Sequence, residues 1–308
     1  MIIVFGALNI DVIMPVASFP KPGETVLTSI DYLSTPGGKG GNQAVAAAQD
    51  GAKVAFVGKV GDDSFGRRCV ASLKNHGIWA SGVGISDRPT GCSTIAVNTT
   101  GDNFVITAPG ANLDATNDQV PDEVLGKKNI LLTQMEVTPK ETFAVLERAK
   151  KMGATTIFNA SPAGRVSIKK ITAVDYLIVN EIEARQLAEG LGVSAADPKD
   201  IALNIARTAN LTCLITLEAA GSIAAQGDKV YAVGALPVKV VDSTGAGDVF
   251  CGIFAASLQK GMDWLAAWHR ASIGASLACT RMGAQSENSY AGEIDANKDS
   301  VLLPRLIS

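Results

Sequence analysis

Histidine is nearly absent from this chain: His76 and His269 are the only two in 308 residues. Two imidazoles this far apart leave little room for a Ser-His-Asp triad or a multi-histidine metal site. Any acid–base work falls to carboxylates. Cysteine is scarce too, and Cys69, Cys92, Cys213, Cys251 and Cys279 are odd in number, widely spaced and without a CxxC pair. That excludes a disulfide framework and a zinc site of ordinary ligand spacing, and leaves buried thiols in a reducing cytoplasm as the expectation. There is no dense basic run, and 27 Lys plus Arg stand against 30 acidic residues, a net charge of −3. Nucleic acid is therefore not an expected partner. No run of some 18 uncharged apolar residues occurs, so no membrane span is expected. The opening MIIVFGALNIDVIM lacks a basic flank, is broken by Asp11 and alternates like a strand, so it is expected to be a folded first strand rather than a leader.

What is present is apolar material, 47% of the chain, in a regular rhythm. Strand-like runs at 2–8, 54–60, 130–134, 155–158, 176–179 and 211–217 alternate with helical patterns at 41–50, 64–76, 139–152, 181–189 and 198–209. Such βαβα alternation predicts an α/β fold, a largely parallel sheet with helices on both faces. No Pro/Gly-rich linker divides it, so 1–308 is expected to be one domain. Two stretches break the rhythm, 12–36 and 90–107, where short β-rich pieces replace helices. Ligands of open α/β folds bind beyond the carboxyl ends of the strands. A small sheet inserted there would act as a lid, an ordinary surface hairpin being the alternative.

The segment 242–248, DSTGAGD, follows a β-branched run at 238–241, expected to be a strand, and precedes an apolar helical pattern at 249–260. Gly245 and Gly247 lack a Cβ, so the backbone can turn sharply and present successive N–H groups to an anion at a helix start. Asp248 would face that anion, and a carboxylate there is suited to taking a proton from an attacking hydroxyl. A helix start whose Asp merely complements the dipole satisfies the heptapeptide equally well. A second glycine run, PGGKGGNQ at 36–43, is not a Walker A loop, because Lys39 is followed by Gly40 and not by Ser or Thr. Backbone at Gly38 with the polar ends of Lys39 and Asn42 suits a polyhydroxy ligand; a plain glycine-rich helix entry is the alternative. Asn9, Asp11 and Glu136 each stand directly beyond an apolar run, and Asn180 with Glu183 forms an N-x-x-E that also fits a capping box.

Together these segments resemble the ribokinase, or PfkB-type, carbohydrate kinase family, from GALNID to TRMGAQ. Its two signatures correspond to GGKGGNQAVAAA from Gly37 and DSTGAGDVFCG from Asp242, and FPKPGETV, PGAN and VNEIEA fit its ribokinase branch. The resemblance implies a ribokinase-like three-layer α/β/α sandwich with a mostly parallel central sheet and a small β-sheet lid. It also implies ATP-dependent phosphorylation of D-ribose at O5. In that scheme Asn9, Asp11, Gly38, Lys39, Asn42 and Glu136 hold the sugar and Asp248 is the base. The N–H groups at Ala246, Gly247 and Asp248, in the turn that Gly245 opens, form the anion hole. Asn180, Glu183, Thr216, Gly221 and Ser272 serve the nucleotide, and Glu183 organises Mg2+ through water. Asp242, Thr244, Cys279, Met282 and Ala284, mostly through carbonyls, form a K+ site. A homodimer joined through the lid strands is implied as well. Glu218 departs from the pattern, standing where the nucleotide turn usually has Gly, and Ser272 replaces the usual Asn or His. The alternatives are a sibling kinase acting on adenosine, fructose or 2-keto-3-deoxygluconate, or a sugar-binding protein with reduced turnover. An NAD-binding fold is disfavoured because no GxGxxG follows the first strand.

Overall fold

Every residue of β1 (Ile2–Phe5) is buried, the pattern of a strand covered on both faces. The computed structural model describes residues 1–28, 30–99, 103–164, 166–193, 196–285 and 290–307. Parallel to β1 on one side run β4 (Val54–Gly61) and then β5 (Trp79–Ser86). On its other side follow β8 (Ile130–Thr133), β9 (Thr155–Asn159), β10 (Tyr176–Asn180) and β11 (Thr212–Thr216), again all parallel. Antiparallel β12 (Ser222–Gln226), β13 (Lys229–Val233) and β14 (Arg305–Leu306) complete that end. Neither β5 nor this antiparallel edge is among the strands expected from the sequence pattern.

Successive strand residues point to opposite faces, and the core divides accordingly. Ile2, Val4, Phe56 and Leu132 pack with α1 (Lys39–Gln49), α2 (Ser64–Asn75), α7 (Ala246–Gln259), α8 (Trp264–Ala278) and α9 (Tyr290–Asn297). Ile3, Phe5, Leu131 and Phe158 pack with α3 (Pro139–Met152), α4 (Ile168–Ile171), α5 (Glu181–Leu191) and α6 (Pro198–Ala209). This is the expected three-layer α/β/α sandwich with a mostly parallel sheet. Among the described residues no helix is long and apolar enough to cross a membrane, and all five cysteines are free thiols.

A second, four-stranded sheet is ordered β3-β2-β6-β7, from β3 (Leu33–Gly37), β2 (Asn9–Pro15), β6 (Gly91–Val97) and β7 (Asn103–Ala108). The chain leaves the central sheet after Phe5 and enters the small one at Asn9, so the first run is two strands in two sheets. Residues 100–102, between β6 and β7, lie outside the described residues. From β1 the chain works outward through β4 and β5, then crosses back to β8 on the opposite side of β1. That reversal makes a crevice beyond the carboxyl ends of β1 and β8.

One local expectation fails. The β-branched run before DSTGAGD is not a strand: among the described residues the chain from 234 to 245 has no ladder partner, and Val240 and Val241 are exposed. Instead the Val241 and Asp242 N–H groups both donate to the Cys279 carbonyl, at 2.7 and 3.2 Å.

Candidate active site

A cavity of about 580 Å³ opens over the crevice, lined by Asn9, Asp11, Gly38, Lys39 and Asn42, by Glu136, and by Thr244, Gly245 and Asp248. The small sheet roofs it with Ser93, Ile95, Val105 and Thr107. A larger cavity of about 680 Å³, bounded by Pro36, Arg68, Ser72 and His76, shares no lining residue with the first. Both histidines bond main-chain carbonyls, His76 that of Ser72 and His269 that of Val301. Acid–base capacity in the first cavity is thus carried by carboxylates.

Two glycines shape its floor. Gly38 caps α1 at φ 83°, and a Cβ there would lie 2.9 Å from the Ala7 carbonyl and the Asn9 nitrogen. Helix α1 therefore starts inside the glycine run, two residues before the expected 41–50, which puts Lys39 at its first position. Gly245 caps α7 at φ 78°, where a Cβ would meet Ala284 Cβ at 2.5 Å.

Polar groups converge from four elements. The Asn9 side-chain carbonyl accepts from Asn112 Nδ2 at 2.8 Å, and the Lys39 N–H donates to Glu136 Oε2 at 2.7 Å. Asp248 is 7% exposed; its Oδ2 accepts from Asn42 Nδ2 and its Oδ1 from Gln43 Nε2, each at 3.0 Å. Burial pushes the Glu136 carboxyl up to about 7, with Lys39 pulling down and Asp248 and Asp11 pushing further up. Burial likewise lifts Asp11 to about 6, opposed by a hydrogen bond from Ser93 and reinforced by Asp248. Burial works to lower the Lys39 amine, but the Asp248, Glu136 and Glu183 carboxylates outweigh it and hold its pKa above the ordinary value. Hydroxyl donors on a ligand would ease these strained carboxylates.

At the start of α7 the Ala246 N–H turns back to the Ser243 carbonyl at 3.2 Å. Among the described residues the N–H groups of Gly247 and Asp248 have no protein acceptor, so the open donors of the expected anion hole number two, not three. Asn180 and Glu183 form a complete capping box: the Glu183 N–H donates to Asn180 Oδ1 at 2.8 Å and the Asn180 N–H to Glu183 Oε2 at 3.0 Å. Among the described residues Oε1 of Glu183 has no partner. Thr216 ends β11 beside Asn180, and Gly221, φ 93°, lets the chain pass where a Cβ would sit 2.2 Å from the Val233 carbonyl. Between them Glu218 is exposed and held at φ 51°. Ser272 is 5% exposed and bonded at 3.3 Å to Ser222, which also accepts from Trp268 Nε1, so it is buried rather than at an open surface.

Around the expected potassium loop, Asp242 accepts the Thr244 N–H through Oδ1 and the Gly283 N–H through Oδ2, both at 2.9 Å. The Cys279 carbonyl already accepts two N–H groups, which fills both its lone pairs. It does not fit the ligand role expected of it, whereas among the described residues the Thr244 and Ala284 carbonyls have no donor. The Met282 residue is 64% exposed. Among the described residues no three His, Cys, Asp or Glu side chains cluster to hold a metal.

The residues that sequence reasoning missed are carboxamides. Gln43, Gln134 and Asn159 are buried at 0, 1 and 7% exposure behind Asp248. Their signal was available, since a Gln in an alanine-rich helix and another ending the ILLTQ run are polar residues at buried positions.

The family model for pfkB family carbohydrate kinases matches residues 1–290. A ribokinase of Bacillus subtilis is 34% identical over 297 residues, covering 96% of this chain and 98% of its own length. The crystal structure of a ribokinase from Thermotoga maritima superposes with a TM-score of 0.87 at 31% identity, covering 96% and 98% of the two chains. A ribokinase from Arabidopsis thaliana, solved in complex with ribose and ATP, does so at 0.83 and 26% identity, covering 95% and 97%.

Proposed function

The chain belongs to the pfkB family of carbohydrate kinases, and on that footing we propose that it transfers the γ-phosphoryl group of ATP to O5 of D-ribose, with Asp248 as general base. One observation carries the proposal: a buried carboxylate, fixed by two amides, borders the polar cavity directly at the open N–H groups of a helix start. Asp11, Glu136, Asn42 and Lys39 supply acceptors and donors for a polyhydroxy compound, and the ionised carboxylates would accept sugar hydroxyls. Asp248 would take the proton of the attacking hydroxyl as it adds to phosphorus. The N–H groups of Gly247 and Asp248 would meet the charge on the transferring group, where one preorganised donor contributes about 3 kcal/mol. The small sheet would serve as a lid that keeps water from the phosphoryl group.

The nucleotide would lie over the ends of β10 and β11, near Asn180, Thr216 and Gly221. Glu183 retains one carboxylate oxygen suited to water-mediated Mg2+, whose chemistry would be charge neutralisation on the phosphates. A K+ ion would be held by the Thr244 and Ala284 carbonyls with Asp242. On the outer face of the small sheet Phe104 and Ile106 are 58% and 61% exposed. A second copy covering them fits a homodimer, since such edges and apolar faces otherwise invite pairing.

The test is Asp248→Asn, which preserves size. Expected are an unchanged fold, an unchanged ribose KM and a kcat lower by about 10² to 10⁴. A rate equal to the parent's refutes the base assignment. Measuring kcat/KM over ribose, fructose, 2-keto-3-deoxygluconate and adenosine decides the acceptor, and a hundredfold preference for adenosine would overturn ribose.

A further inference from the structure

We infer that Gln43 is a positioning residue for Asp248, and that a directional chain of buried carboxamides, anchored on the main chain of β10, fixes the base's orientation. This rests on Asp248 being the base. The chain begins at the Ile178 carbonyl, which can only accept and takes a hydrogen bond from Asn159 Nδ2 at 3.0 Å. Asn159 must therefore turn Oδ1 the other way, and Gln43 Nε2 donates to it at 3.0 Å. The same Nε2 gives its second proton to Asp248 Oδ1 at 3.0 Å. Gln43 Oε1 then accepts from Gln134 Nε2 at 2.6 Å. All the hydrogen-bonding capacity of the Gln43 amide nitrogen is used, and its oxygen is occupied.

Its orientation is over-determined. Rotating the amide by half a turn would set Oε1 against both Asp248 Oδ1 and Asn159 Oδ1, and Nε2 against Gln134 Nε2. Three repulsive contacts would replace three attractive ones, in a site where Gln43 is 0% exposed and water cannot compensate. Asn42, the neighbouring residue of α1, holds Oδ2 and is itself held by Gln285 Nε2 at 2.9 Å. Both carboxylate oxygens are thus tied to α1. The contact exists because Gly252 lets α7 approach closely: a Cβ there would sit 2.6 Å from the Gln43 carbonyl oxygen. Gln43 does not line the cavity, so its influence reaches the substrate only through Asp248. A general base works from a narrow range of geometry. Its second oxygen must stay aimed at the incoming hydroxyl.

The test is Gln43→Met, which keeps length and removes the donor. A hydrogen bond to a charged group of this kind predicts a kcat lower by about 10- to 100-fold, with the KM values for sugar and nucleotide within about twofold of the parent. Gln134→Met, which leaves the Gln43–Asp248 contact in place but removes one of the three contacts that hold the amide, should loosen it and give a smaller loss of the same type. The double variant should be no slower than Gln43→Met alone, because both act through one contact. A Gln43→Met protein that melts cooperatively and keeps kcat within about twofold overturns the inference, as does a loss confined to KM. If Gln43→Met does not fold, Gln134→Met decides alone: a reduced kcat at constant KM supports the chain and an unchanged kcat refutes it. Asp248→Asn separates the two levels. If that variant loses turnover while Gln43→Met does not, only the positioning role fails; if it turns over like the parent, the base assignment fails with it.

Discussion

Glu136→Gln should make the protein more stable at alkaline pH while weakening its hold on sugar. Glu136 sits in the cavity wall with its pKa lifted from an ordinary 4.5 to about 7, chiefly by burial. At roughly 1.4 kcal/mol per pH unit, the ionised folded state is penalised by about 3 kcal/mol, an order of magnitude that already includes the attraction of Lys39. The sign follows from proton counts. Between pH 4.5 and 7 the folded chain keeps a proton that the unfolded chain releases, so stability falls as pH rises through that window and levels off above it. Gln has no such proton and still offers an oxygen to the Lys39 N–H. The variant's advantage should be under about 1 kcal/mol at pH 5 and approach about 3 kcal/mol at pH 8. At roughly 2 °C per kcal/mol for a chain of this size, its melting temperature should exceed the parent's by about 6 °C at pH 8. Asp11, lifted to about 6, acts with the same sign in both proteins, so its own burial effect cancels in the difference and only its coupling to Glu136 does not. Calorimetry of parent and variant without sugar, at both pH values, gives the answer. An equal melting difference at pH 5 and pH 8 would refute the idea that a buried carboxylate charge is being relieved.

Three further outcomes are expected. Gly252→Ala places a methyl 2.6 Å from the Gln43 carbonyl and 2.9 Å from the Ala47 nitrogen; α1 and α7 must separate, destabilising by about 1–3 kcal/mol and lowering kcat, and urea melts with initial rates will show whether both fall together. Glu218→Gly relieves a side chain held at φ 51°, so stability should rise by about 1 kcal/mol and the ATP KM should fall by about threefold or more as a charge leaves the nucleotide turn; an unchanged ATP KM would separate Glu218 from the donor. Activity in potassium should exceed that in sodium at equal ionic strength, and equal rates in the two salts would remove the monovalent cation from the site.

Much of the fold was legible because its causes are local. The run IIVF declares a doubly covered strand, and the amphipathic periodicity of 139–152 or 198–209 declares helices packed by one face. The antiparallel edge β12–β14 was not legible, since strand direction depends on where the chain turns in space. Nor was the absence of a strand at 238–241, where β-branched residues lack a neighbour to pair with and propensity alone cannot supply one.

The sequence alone determined which chemistry was available: two histidines forced the work onto carboxylates, and glycines at 38 and 245 marked turns that only a residue without Cβ can make. Tertiary structure decided what those groups became. It brought residues 9, 11, 39, 136 and 248 to one crevice at a strand-order reversal, and burial there raised Asp11 and Glu136 far above ordinary carboxylates. It turned Asn180 and Glu183 on each other as a cap, closed off the Cys279 carbonyl, and set Gln43 behind Asp248. Charge, burial and hydrogen-bond direction are relations between segments far apart in the chain, and they come into being only when the chain has folded.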